Sequence, residues 1–398
     1  MRPTRAALST LIPLAACFLS GFCGLLYEVV WERWLEFQIG VSTYAVALIV
    51  SVFMAGLALG AAAFGAICSK TKHPLRVYAA IEVAVAIVAF IVPRLFGCTL
   101  TGLFVLTVLM GGTLPVLAQF LVTESEIGFG VAAIYGINTL GAVAGCFATG
   151  FLLIPHLGLS NTNLVGVVGN LAAGIGVLCL PTREATPRPA ATPEESPAHG
   201  YSHREWGLLL IAAVCGFTGL GYEVLWFRTL RLVIGGTVYA FSTMLTVLLL
   251  GIALGSLLAR RWLRRQPNVL VLLGLAQALL GLSAWLTYPG CSVTWTLLSF
   301  WSQKYFEVIG HWELARLTHF MVAATTLLVP TLCLGISFPL LVEFFSQRRH
   351  RTGSAVGTVY FANALGSIAG SLSVSFLIVP WLGLRHAILL LVALNVAL

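Results

Sequence analysis

Apolar stretches long enough to cross a lipid bilayer recur along the chain, near residues 8–30, 42–67, 75–93, 95–123, 128–154 and 161–180. After a polar gap they resume near 206–227, 237–259, 268–289, 316–345, 353–379 and 385–398. A bilayer's hydrocarbon core is about 30 Å thick, and a helix needs about 20 mainly apolar residues to span it. Backbone polar groups in lipid must be satisfied within the element itself, so these stretches are predicted to be helices. The pattern predicts an all-α polytopic membrane protein with about 12 transmembrane helices. The first stretch follows Arg2 and Arg5 as a secretory leader would, but its length and the lack of a small-x-small cleavage site favour a first spanning helix.

The polar gap, 181–205, holds Pro187, Pro189, Pro193 and Pro197 among Glu, Ser and Thr, the composition of an extended linker. It divides the chain into a first membrane repeat, 1–180, and a second, 206–398. A shift of 195 places Gly21, Tyr27, Glu28, Trp31, Arg33, Gly56 and Gly60 on Gly216, Tyr222, Glu223, Trp226, Arg228, Gly251 and Gly255. Further on, a shift of 225 places Tyr135, Asn138, Gly141, Gly145, Pro155 and Gly158 on Tyr360, Asn363, Gly366, Gly370, Pro380 and Gly383. The change of offset predicts an insertion of about 30 residues near 287–315 of the second half. Six helices per repeat is an even number, so the halves are expected to be parallel, related by an axis along the membrane normal.

Composition agrees: 59% of residues are hydrophobic and only 9% charged, with a mean hydropathy of +0.97. Soluble chains carry roughly 25% charged residues. With an inward N-terminus, 15 of the 22 basic residues fall in inside segments, which predicts a multi-pass protein of the cell (inner) membrane with both termini cytoplasmic. The net charge of +8 is then a topology signal and not a nucleic-acid surface. All 14 acidic residues are Glu, which excludes Asp-dependent calcium loops, aspartic dyads and aspartyl-phosphate chemistry. The nine cysteines contain no CxxC and the eight histidines no HExxH, so no metal site and no cofactor is expected.

The sharpest motif is Tyr-Glu-x-x-Trp-x-Arg, present as Tyr27, Glu28, Trp31, Arg33 and again as Tyr222, Glu223, Trp226, Arg228. An intramembrane carboxylate is costly unless paired and points to a functional site. Five residues of helix turn through about 140°, so Glu and Arg of one motif do not face each other. Crosswise pairs, Glu28 with Arg228 and Glu223 with Arg33, fit parallel repeats. Two readings follow: an acidic site for a cation or a proton, or a structural clamp with the tryptophans as an aromatic belt. Glu82 lies inside the third apolar stretch, opposite Gln277 in the second repeat. A cavity lined by Glu82, Gln277 and the Tyr-Glu motifs would suit a small cationic solute; interhelical hydrogen bonding is the alternative. Pro115 and Pro339 are expected to kink their helices. Asn138, Asn363, Gly141 and Gly366 read as close helix packing, with the asparagines as alternative pathway residues.

The blocks Ser20-Gly21-Phe22 through Tyr27-Glu28-x-x-Trp31-x-Arg33, Phe53 to Gly60, Thr113-Leu114-Pro115 and Tyr135-x-x-Asn138-Thr139-Leu140-Gly141-Ala142 resemble the membrane region of fused major-facilitator/spermidine synthase proteins. The resemblance implies a major-facilitator-like fold and, in the family, a cytoplasmic aminopropyltransferase-like domain after it. That domain's Gly-rich turn and aspartates do not occur here, so no catalytic domain is visible. An apolar end at Leu398 points to a chain that continues. The leading expectation is a transporter-like module for a polyamine or precursor. The alternatives are an anchor or scaffold for a partner enzyme or complex, and the membrane part of an aminopropyltransferase.

Overall fold

The computed structural model describes residues 5–40, 43–68, 71–95, 99–121, 127–180, 202–234, 238–265, 268–309, 312–349 and 352–398. Most of the predicted linker, 181–201, lies outside the described residues. The first half comprises α1 (Arg5–Ile39), α2 (Thr43–Cys68), α3 (Pro74–Leu95), α4 (Leu100–Gly111), α5 (Thr113–Leu121), α6 (Ile127–Ala148) and α7 (Ile154–Leu178). The second comprises α8 (His203–Ile234), α9 (Val238–Leu263), α10 (Val269–Ile309), α11 (Trp312–Arg349), α12 (Thr352–Ser373) and α13 (Val379–Ala397). A π-helical turn links α6 to α7 at Thr149–Leu153, and its repeat mate links α12 to α13 at Val374–Ile378.

Ten runs among the described residues are long and apolar enough to cross a membrane. Two of them, Gly130–Leu178 and Val356–Ala397, hold 49 and 42 residues. At 1.5 Å per residue each measures roughly 60–75 Å, about twice a bilayer core. Helical geometry stops inside each at a glycine with positive φ, 73° at Gly158 and 76° at Gly383. Only glycine adopts that backbone without strain. Each run is therefore two helices joined at its glycine and not one straight span.

Lipid tails are as apolar as the side chains they meet, so association of these helices depends on close packing and interhelical bonds. Glycines supply the close packing, and the two halves use them alike. A Cβ on Gly60 of α2 would collide with the Val108 carbonyl of α4, and one on Gly255 of α9 with the Leu332 carbonyl of α11. Gly141 and Gly366 seat α6 and α12 against the backbones of Phe18 and Ala213 in the same way. The halves meet along α6 with α9 and α2 with α12.

Departures from the repeat are local. In the first half the helix stops at Gly112, whose N–H reaches the carbonyls of both Leu109 and Met110. Pro115 then falls in the first turn of α5, where its missing N–H would have had no helical partner. In the second half α11 runs unbroken through Pro330 and Pro339. The predicted insertion is largely helical, since α10 continues to Ile309 beyond an apolar window that ends at Leu286.

Candidate functional site

Two cavities open where the halves meet. The first, of about 120 Å³, is lined by Ser20 and Gly24 of α1, Thr113 and Pro115 of α5, Asn138 of α6 and Asn170 of α7. The second, of about 160 Å³, is lined by Glu223 of α8, Ser337 and Phe338 of α11, and Asn363 and Ser367 of α12. Tyr135 and Tyr360, which are repeat mates, line both. The Phe338 ring packs between them, 4.9 Å from Tyr135 and 5.9 Å from Tyr360. The two pockets thus share the Tyr135 and Tyr360 rings, and Phe338 lines the second alone. Tyr135 and Tyr360 were not singled out as site residues from the sequence, although their recurrence at the shift of 225 was an available signal.

Glu28 and Glu223, one from each repeat, stand within electrostatic reach of each other, with Tyr360 near Glu28. Both are half-buried, and neither has an ion pair among the described residues. The expected crosswise pairs with Arg228 and Arg33 do not form there. Arg33 instead bonds Glu36, three residues along its own helix, at 2.5 Å. At that spacing two side chains share a helix face, so the local partner is within reach without any rearrangement. Glu32 and Glu36 were not singled out from the sequence, yet they are 5% and 7% exposed. With Glu28 they form a stripe at every fourth residue of α1, and Arg33 and Arg231 stand close enough to act on Glu32.

The other motif residues face away from the cavities. Tyr27 and Trp31 are fully buried, as is Tyr222, with Trp226 at 3% exposed. The Trp31 indole N–H donates to Asn163 Oδ1 at 3.0 Å, and Asn163 Nδ2 donates to the Ala89 carbonyl at 2.8 Å, which ties α1 to α7 and α3. Tyr222 and Trp226 stack on each other at 5.2 Å. These rings are internal struts and not a lipid-facing belt.

Glu82 and Gln277 are 0% and 1% exposed and line neither cavity. Asn170 Nδ2 donates to Glu82 Oε2 at 2.5 Å, and Asn395 Nδ2 to Gln277 Oε1 at 2.6 Å. Asn170 therefore stands between Glu82 and the first cavity. Asn138 and Asn363 line their cavities while donating, each at 3.1 Å, to the carbonyls of Cys17 and Ala212. They serve packing and lining at once. Pro115 lines the first cavity, and Pro339 lines neither. Among the described residues no group of His, Cys or Glu could hold a metal ion.

Set beside solved structures, the whole chain follows the human organic anion transporter MFSD10, with a TM-score of 0.64 at 14% identity over 100% of this chain and 99% of that one. It follows the E. coli fucose:proton symporter FucP with a TM-score of 0.63 at 12% identity, over 97% and 96% of the two chains. The fold is that of the major facilitator transporters, embedded in a membrane by multiple passes. No protein-family model matches the chain. Among curated proteins it is similar to a polyamine aminopropyltransferase of Corynebacterium efficiens, 27% identical over 48% of this chain, and to polyamine aminopropyltransferase 2 of Streptomyces coelicolor, 30% identical over 47%. The chain spans about a third of the length of these relatives, 34% and 37%.

Proposed function

We propose that this membrane protein is a carrier for a small cationic solute, and that an ammonium group of the solute binds between Glu223 and Glu28. The observation that carries the reading is Glu223 lining a cavity walled by Tyr135, Phe338 and Tyr360, with Glu28 within its electrostatic reach and neither carboxylate ion-paired among the described residues. A carboxylate desolvated in this way favours a cation, and aromatic faces attract the same charge. Ser337, Asn363 and Ser367 add neutral hydrogen-bonding groups around it. The names of the relatives direct the choice of solute towards a polyamine or its precursor. In this reading the protein sits in the inner membrane with both termini cytoplasmic, and 1–180 and 206–398 move as the two halves of the carrier.

The test is uptake of labelled putrescine and spermidine into proteoliposomes by wild type and by Glu223→Gln and Glu28→Gln. Uptake should saturate in the wild type and fall about tenfold or more in Glu223→Gln, the loss of about 1.4 kcal/mol or more of binding. No uptake from folded protein under any imposed ion gradient would overturn it. A second reading is favoured by the aminopropyltransferase similarity: a membrane anchor for a synthase domain or partner enzyme. Stable co-purification of such an enzyme with no solute binding would support it.

A further inference from the structure

Glu82 is a carboxyl group enclosed by protein, 0% exposed, in the middle of a membrane-spanning helix. Its Oε2 accepts from Asn170, and Ser20 and Tyr78 flank the same carboxyl. Among the described residues its Oε1 has no hydrogen-bond partner, and neither does Tyr78 Oη or Asn170 Oδ1. The groups that act on it from α1 are Cys17, Ser20, Cys23 and Tyr27. α7 contributes Asn170, α3 itself Tyr78, and α4 and α5 contain no titratable side chain. No Lys, Arg or His acts on Glu82 among the described residues.

The second repeat supplies the same device without the acid. Gln277 accepts from Asn395 at Oε1, as Glu82 accepts from Asn170. Its Nε2 then donates to Ser337 Oγ at 2.7 Å, and Ser337 donates to the Cys333 carbonyl at 2.9 Å. The amide is a donor at the atom where Glu82 has a bare oxygen. A proton on that oxygen gives Glu82 the donor–acceptor pattern of Gln277, with Tyr78 Oη and Asn170 Oδ1 as waiting acceptors. Ser20 and Asn170 also line the 120 Å³ cavity, so water there is one side chain away from the carboxyl.

We propose that Glu82 is a reversible proton-binding site fed from this cavity, and that Gln277 is its permanently neutral counterpart. Hydronium in the cavity gives a proton to the Ser20 hydroxyl, which passes its own hydrogen to the Glu82 carboxylate and leaves water behind; release is the reverse. The site stands whether or not a solute is carried, and its test reads the carboxyl directly. Difference infrared spectroscopy of the full chain in lipid, titrated from acid to alkali, follows the carbonyl band of protonated carboxyl groups. One titrating band should be lost completely in Glu82→Gln and kept in the Glu28→Gln/Glu223→Gln double variant. Gln277→Glu should add a second. Glu82→Gln rebuilds the Gln277–Asn395 arrangement and is expected to fold. Asn170→Leu gives an independent readout, since removing the donor must move the frequency of a band that belongs to Glu82. An unchanged titrating band in Glu82→Gln, a frequency indifferent to Asn170→Leu, or a Glu82 band constant across the titration would each overturn the proposal.

Discussion

In the first repeat Glu82 meets Asn170, and in the second Gln277 meets Asn395, through the same bond at nearly the same length, 2.5 and 2.6 Å. Around these pairs the scaffolds coincide: the glycine seats, the asparagine bonds to α1 and α8, the π turns and the positive-φ glycines all recur. What differs is charge. Glu28, Glu32 and Glu36 on α1 correspond to Glu223, Phe227 and Arg231 on α8, and only the first repeat has an acid at the Glu82 position. Packing constraints act equally on both copies, so the shared residues report how the helices fit. The divergent polar residues report what the two halves do differently.

The comparison breaks most severely if the shared seats are not equivalent. Gly60→Val and Gly255→Val each drive a side chain into a backbone carbonyl, which cannot rotate away. Each is expected to cost about 3 kcal/mol or more. Thermal unfolding in detergent, followed by size exclusion, should show both variants strongly destabilised and by similar amounts. A variant tolerated in one half alone would show that the two α2–α4 type contacts carry different loads.

A smaller effect separates the halves. Trp31→Phe leaves Asn163 Oδ1 unpaired at a site where Asn163 is 1% exposed, whereas the Trp226 indole makes no hydrogen bond among the described residues. Losing a buried partner costs about 1–3 kcal/mol. Trp31→Phe should therefore lower the melting temperature clearly more than Trp226→Phe. Equal shifts would mean that ring packing, and not the Asn163 bond, is what Trp31 contributes.

The all-helical, many-spanning fold was legible because apolar runs and matched offsets are one-dimensional patterns. The depth of Glu82 was legible too, from its place within an apolar stretch. Partners were not. Arg33 sits five residues from Glu28, and helical phase excluded their contact, but nothing in phase chose Glu36 over Glu223. Tyr27 was expected at the cavity and is buried away from it, while Tyr135, not singled out, lines both cavities. Which face of an almost wholly apolar helix looks inward is decided by its neighbours, because lipid and protein interior reward the same side chains. The weak amphipathic contrast of such helices leaves rotation unwritten in the sequence.

The smallest prediction carries the repeat comparison to a single methyl group. Gly274 of α10 is the shift-195 mate of Ala79, which is fully buried in α3. A Cβ at Gly274 would meet nothing within 4 Å, unlike the crowded seats at Gly255 and Gly335. Its backbone is helical, so no turn or close approach demands glycine there. Gly274→Ala writes the first repeat's residue into the second and removes backbone freedom from the unfolded chain. A gain of about 0.5–1 kcal/mol is expected, read as a small rise in melting temperature with no change in the infrared titration. A loss would mean that α10 needs space at this position that α3 does not, and the two helices would then pack by different rules despite their common origin.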